Sequence, residues 1–205
     1  MKVLMLNGSP HEHGSTYTAL HEMEKIFAAE GIETELLQVG KLDIRGCLAC
    51  GQCARLGKCA IDDIVNEAAE KLNTADGLVV GSPVYYASAN ATLIALLDRL
   101  FYSSHADLRM KVGAAVCSAR RGGLTATFDE LNKYFAISGM PIATGQYWNG
   151  IHGRCAEDAV LDGEGMQMMR TLARNMAFLM KSIALGRDAF ALPALEERVV
   201  TNFIR

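Results

Sequence analysis

The chain has 205 residues, half of them hydrophobic and 21% charged, with a formal net charge of −3. That length suits a single domain over 1–205 with a sizeable core, and a faintly acidic balance without like-charge blocks argues against a nucleic-acid partner. No apolar run approaches the ~20 residues of a bilayer span and none at the start has the form of a signal peptide, which points to a cytoplasmic protein off the membrane. In chain order, Lys2 to Asn7 reads as a buried strand and Thr16 to Glu30 as a helix with Leu20, Met23, Ile26 and Phe27 on one face, ended by Gly31. Glu33 to Val39 is a second strand, and Asp62 or Asp63 caps a helix bearing Ile64, Val65, Ala68 and Leu72. Gly77 to Gly81 is a short apolar strand, followed by a helix from Asn90 to Tyr102 with Leu93, Leu96, Leu97, Leu100 and Phe101. Val112 to Ser118 is a fourth strand, Leu124 to Ser138 a helix, Pro141 to Thr144 a short fifth strand, and Gly165 to Leu185 a long final helix.

Strands that are apolar throughout, alternating with amphipathic helices, indicate a doubly wound parallel sheet with helices on both faces. Five such units fit the flavodoxin-like α/β order 2-1-3-4-5. The tail from Ala189, with Pro193, lies beyond the last unit and is placed to pack on a partner subunit. Ligands of such sheets sit outside the carboxyl ends of the strands. That rule gathers the loops 7–16, 81–90 and 118–123, with 145–154 nearby.

The first of these loops, NGSPHEHGST, carries Ser9, Ser15 and Thr16 as hydroxyl donors, and Gly8 and Gly14 let the backbone approach a ligand. It has neither a triphosphate-loop lysine nor the glycine fingerprint of dinucleotide sites. At a helix N-terminus this set suits one terminal phosphate held by neutral donors. The same residues also suit an ordinary strand–helix turn in which Ser15 only caps the helix. In the second loop Pro83, Val84, Tyr85, Tyr86 and Ser88 offer the flat neighbours and backbone donors that a planar aromatic ligand needs. The plainer alternative is a β–α loop with two half-buried tyrosines.

Gly8–Pro10 (GSP) with Gly14–Thr16 (GST), Gly81–Tyr85 (GSPVY) and Leu97–Arg99 (LDR) resemble the NADPH-dependent FMN reductase family of flavodoxin-like proteins. The resemblance implies that Ser9, Gly14, Ser15 and Thr16 hold the FMN phosphate, and that Pro83, Val84, Tyr85, Tyr86 and Ser88 border the isoalloxazine. It extends the cofactor set to Ser118, Arg120 and Gly123 after the fourth strand, where Arg120 or Arg121 faces flavin carbonyls or an NADPH phosphate, or is simply a solvated basic turn. Where family members often carry Arg or Lys after GSP, this chain has His11, Glu12 and His13. The cluster Tyr147 to Gly153, with the sole tryptophan, either lines a flavin pocket or packs.

Six cysteines in a cytoplasmic chain are not presumed disulfides. Cys47, Cys50, Cys53 and Cys59 stand in C-x2-C-x2-C-x5-C spacing with Gly51 and Gly57 between them. Structural zinc usually draws two close pairs from separated segments, whereas three cysteines at gaps of two look like iron–sulfur ligation. The spacing, after the second strand, resembles the iron–sulfur flavoproteins, which carry FMN and one [4Fe–4S] cluster. The other reading makes these cysteines small residues of a tight loop. Cys117 is expected in the core, and Cys155 has no evident partner.

These residues lead us to expect an FMN-dependent oxidoreductase that takes hydride from NAD(P)H. Its electrons would pass to a small molecule or an electron-transfer protein, by way of the cluster where one is held. The rivals are a cluster-free quinone or nitro-compound reductase and a non-catalytic electron carrier. The resemblance further implies a homodimer or homotetramer.

Overall fold

The computed structural model describes residues 1–197 and 199–201. Strand β1 (Lys2–Asn7) is buried from Val3 onward, because helices cover both of its faces. Val3 and Met5 point into one core cluster, together with helix α1 (Ser15–Ala29) and the long helix α7 (Gly163–Phe190). Leu4 and Leu6 point into the other, against α3 (Ile64–Thr74), α4 (Ala91–Ser103) and α5 (Leu124–Ile137). The two-residue alternation of a strand thus builds both cores at once.

The sheet runs in the order β2-β1-β3-β5-β6, with β2 (Glu33–Gln38), β3 (Gly77–Tyr85), β5 (Val112–Ala119) and β6 (Gly150–His152) all parallel to their neighbours. A two-residue strand, β4 (Ser88–Ala89), pairs antiparallel with the end of β3. Counted without this side strand, the order is the expected flavodoxin-like 2-1-3-4-5. Asp63 rather than Asp62 caps α3, accepting from the Val65 N–H at 3.1 Å. Two single-turn helices, α2 (Cys53–Leu56) and α6 (Ala156–Ala159), complete the set. Among the described residues no helix is long and apolar enough to cross a membrane.

Three elements differ from the sequence reading. The third strand does not stop at Gly81: Val84 and Tyr85 are strong strand formers and carry β3 on to the β4 hairpin. The edge strand is Gly150–His152, not Pro141 to Thr144, where only Ile142 bridges to Gly113. Asn149, fully buried, explains the interruption. Its Oδ1 accepts from the Gly145 N–H, its Nδ2 donates to Ala143 O at 3.5 Å, and its carbonyl takes the Cys117 N–H, so the chain leaves the sheet and rejoins it. Finally, α7 continues to Phe190, and the segment after it begins at Ala191.

Candidate active site and cysteine pocket

A cleft of about 760 Å³ opens at the carboxyl ends of β1, β3 and β5, walled by residues 9–16 without Pro10, by 83–85, by 118–120 and by 153–157. The floor follows from close backbone approach. Gly8 donates its N–H to Gly81 O at 2.8 Å, and a Cβ on Gly8 would lie 2.8 Å from that same oxygen. Helix α1 begins behind Gly14 with no side-chain cap, and its first internal bond is from the Thr18 N–H to Gly14 O. The N–H groups of Ser15, Thr16 and Tyr17 therefore have no acceptor within the helix, and they stand at the positive end of its dipole.

The hydroxyls of this loop are partly committed. Ser9 Oγ accepts from the His11 N–H at 3.1 Å and keeps its own proton to donate. Thr16 Oγ1 and Ser118 Oγ form a buried pair at 2.7 Å, which leaves one proton between them for a ligand. Ser15 does not cap the helix; its hydroxyl donates to Cys155 O at 2.9 Å and so ties α1 to the 153–157 wall. Exposed Arg120 and Arg154 border the same cleft. They bring positive charge to a loop whose own Glu12 is paired with Lys41 at 2.5 Å, a contact that holds the Glu12 carboxyl below its ordinary pKa. The Cys155 thiol, on the same wall, is held above its ordinary pKa chiefly by its hydrogen bond with Glu157.

Of the second loop, Pro83, Val84 and Tyr85 line the cleft. Tyr86 is fully exposed at the hairpin tip, where Tyr86 and Ala87 take φ of 51° and 59°. A two-residue hairpin turn with both centres in the left-handed region normally uses Asn-Gly, so Tyr-Ala here stores strain. Ser88 turns away from the cleft and donates to Glu130 on α5, whose Oε2 also takes the Ala89 N–H at 2.8 Å. Gly123, at φ 90°, backs this hairpin, since a Cβ there would sit 3.0 Å from Ala87 Cα. It also borders a neighbouring hollow of about 360 Å³, with Arg121, Tyr147, Trp148 and His152.

The four clustered cysteines lie elsewhere and border one small apolar pocket with Leu48, Ile61, Tyr102 and Ser103. Cys47 and Cys50 are exposed, Cys53 and Cys59 half-buried. Among the described residues no three His, Cys, Asp or Glu side chains converge as the ligands of one metal ion would. The surroundings nonetheless suit sulfur ligation. Cys47 Sγ accepts from the Ala49 N–H at 3.4 Å, and Cys59 Sγ accepts from Arg99. Ser103 Oγ is buried there without a hydrogen-bond partner among the described residues.

Residues 1–153 match the family of NADPH-dependent FMN reductases. The chain belongs to that family. It is 34% identical to an iron-sulfur flavoprotein of Methanocaldococcus jannaschii over 89% of this chain and 99% of the relative. Identity to an iron-sulfur flavoprotein of Methanosarcina thermophila is 31%, over 92% of this chain and all of the relative. A flavodoxin from the domain Archaea superposes with a TM-score of 0.60 at 15% identity, covering 88% of this chain and 99% of that one, and it confirms the fold. The protein is thus a flavin oxidoreductase, an enzyme rather than a passive carrier, with FMN as its flavin and a nicotinamide as the substrate that its family implies.

Several residues that shape the FMN reductase cleft escaped the sequence reading. Asn90, read only as the start of a helix, caps α4 and also donates to Gly8 O at 2.6 Å and Gly40 O at 3.3 Å, which pins the first loop to the second. Asn7 Oδ1 takes the Ser9 N–H, and Gln38 Nε2 donates to Ser9 O at 2.6 Å. Asn or Gln at the carboxyl end of a buried strand was the available signal, since amides there face loop backbone. Glu130, Arg154 and Glu157 had none, because their approach depends on tertiary packing alone.

Proposed function

We propose that this FMN reductase takes hydride from NAD(P)H onto FMN bound in the 760 Å³ cleft. From there electrons pass to an acceptor by way of one [4Fe–4S] cluster held by Cys47, Cys50, Cys53 and Cys59. The observation that carries the flavin half is the α1 N-terminus opening on that cleft with uncommitted N–H groups and hydroxyl protons. There Ser9, Gly14, Ser15 and Thr16 hold the phosphate. Pro83, Val84 and Tyr85 face the ring system, and Tyr86, Ser88 and Gly123 shape the hairpin that presents them. Ser118 and Arg120 close the far side, where a guanidinium suits a flavin carbonyl or the nicotinamide cofactor's phosphate. FMN supplies the hydride and electron chemistry when bound, while the protein contributes placement, exclusion of water and charge.

The cluster half rests on four sulfurs around one pocket, two of them accepting N–H donors, and on relatives named iron-sulfur flavoproteins. The donor set fits iron–sulfur ligation, and a bound cluster would let a two-electron carrier discharge one electron at a time. The decisive measurement is the absorbance spectrum, iron and sulfide content of anaerobically prepared protein. Cys59→Ser should lose iron and broad visible absorbance and slow transfer to one-electron acceptors. FMN content and flavin reduction by NAD(P)H should persist. Wild type holding neither iron nor sulfide overturns the cluster. The cluster-free quinone or nitro-compound reductase, favoured by the lack of converged ligands among the described residues, then stands.

We further propose a cytoplasmic homodimer or homotetramer of one domain. Exposed Phe178, Leu185 and Phe190 on α7, with Val199 and Val200 in the tail, support it. Phe203 and Ile204, apolar residues farther along the same tail, lie outside the described residues. A monomer by light scattering at micromolar concentration with FMN bound overturns this assembly.

A further inference from the structure

Arg99, on α4, is the largest fully buried side chain among the described residues, 1% exposed, and lines the cysteine pocket. All three of its nitrogens are engaged. Nη1 and Nη2 meet Asp63 Oδ2 and Oδ1 at 2.7 and 2.8 Å, a two-point pairing of fork and carboxylate. Nη1 also donates to Arg45 O at 3.1 Å and Nη2 to Ile61 O at 3.2 Å, so both flanks of the cysteine loop are held. The remaining proton of the guanidinium, on Nε, points at Cys59 Sγ at 3.3 Å, and Nη2, whose two protons serve three acceptors, shares one of them with the same sulfur at 3.3 Å.

This last contact is the informative one. Asp63 already balances the buried charge, and the carbonyls already satisfy the outer protons. Two guanidinium donors on a neutral thiol would form weak bonds, whereas the same donors on an iron-bound thiolate are charge-assisted. The backbone of Cys59 is held as firmly. Its N–H goes to Asn66 Oδ1 at 3.0 Å, and its carbonyl takes Asn66 Nδ2 at 3.1 Å. Of the other three cysteines two are exposed, and Cys53 is held through its carbonyl, by the Gly57 N–H and the His105 ring, with no charged donor on its sulfur among the described residues.

We propose that Arg99 is the positioning residue of the cluster site: through paired N–H···S bonds it presents Cys59 as a pre-set ligand on which the cluster is built, and it raises the reduction potential of the bound cluster. This rests on the cluster reading given above. A positive charge and hydrogen bonds at a ligating sulfur both stabilise the reduced cluster, which carries the extra electron. Lysine cannot replace the fork, because a single ammonium cannot reach Asp63 by two bonds and Cys59 by two more.

The test uses the full chain, prepared without oxygen and loaded with iron and sulfide, as wild type, Arg99→Lys and Asp63→Asn. Iron retention against a chelator, the cluster's midpoint potential from a spectroscopic redox titration, and alkylation of each cysteine before loading are read together. Arg99→Lys should retain FMN, lose iron roughly tenfold more readily or worse, and show a more negative potential. Before loading, its Cys59 should alkylate as fast as Cys47, where in wild type it lags. Asp63→Asn removes a negative charge instead and should move the potential the other way, which keeps the proposal testable if Arg99→Lys does not fold. A loaded Arg99→Lys protein with wild-type retention and potential overturns the positioning role and leaves Arg99 as a packing peg. Wild type that takes up no iron overturns the cluster reading itself, and this proposal with it.

Discussion

The cleft takes its walls from segments that leave the ends of strands β1, β3, β5 and β6 directly, whereas the cysteine pocket takes its sulfurs from a stretch whose one regular piece is the single turn Cys53–Leu56. In the first region backbone meets backbone, as where Gly8 touches Gly81, and side-chain amides lock one loop to the next. In the second, a lone buried guanidinium and one asparagine secure a single end. The comparison teaches that a cleft shaped by the fold is ready before its ligand arrives, while the order of a sulfur-rich loop would rest in part on the group proposed for it. Cys117, the core cysteine, marks the contrast: burial pushes its thiol up to about 12, so it is withdrawn from the chemistry open to Cys47 and Cys50.

The strongest way to break this contrast is at the joint between the two regions. Gly40 follows β2 and packs so closely on the first loop that a Cβ would lie 2.2 Å from Gly8 O. Gly40→Ala should cost about 3 kcal/mol of stability by denaturant unfolding, since backbone, not a flexible side chain, must yield. FMN binding should fall with it. Stability within ~0.5 kcal/mol of wild type would mean that the cleft is not preformed.

Thr16→Ala sharpens the comparison from inside the cleft. It removes one proton of the Thr16–Ser118 pair, and FMN binding measured by fluorescence quenching should weaken by roughly 1.5–3 kcal/mol. Riboflavin binding should hardly change. An equal loss for both flavins would show that the phosphate sits elsewhere.

A smaller effect is expected behind the hairpin. Glu130→Ala frees Ser88 and the Ala89 N–H and should cost about 1–2 kcal/mol, with a shifted flavin absorbance envelope in the bound protein. An unchanged flavin spectrum would show that the hairpin does not touch the ring. Least of all, Ala87→Gly relieves a left-handed residue and should stabilise the apoprotein by up to about 1 kcal/mol in thermal unfolding. A lowered melting temperature would mean that the turn is not strained.

Most of the fold could be read before the structure, since β1, α1 and α4 each announce themselves by their apolar pattern. The edge strand could not: its place is decided by buried Asn149, whose partners in 143–145 and at Cys117 only tertiary packing brings together. The hairpin hid for a different reason. Its turn uses Tyr86 and Ala87 where local rules look for glycine or asparagine. In the site, the hydroxyls of the first loop were legible because short polar residues after a buried strand have little else to do. The positive charge missing after Pro10 was not, for Arg154 arrives at the cleft from the far end of the sequence. Arg99 was legible as part of a family motif and Cys59 as part of the cysteine run, yet their contact was not, because α4 and the cysteine loop meet only in three dimensions.

The far end of α7 has a consequence of its own. From Leu185 to Phe190 every residue but Gly186 is exposed, so the last turns of this 28-residue helix run past the core that supports the rest. A short helical overhang gains little from its own hydrogen bonds in water. Its winding is therefore borrowed from whatever surface it leans on, and the far-ultraviolet circular dichroism per residue becomes a gauge of company, rising with concentration if copies meet there and constant if each chain stays alone.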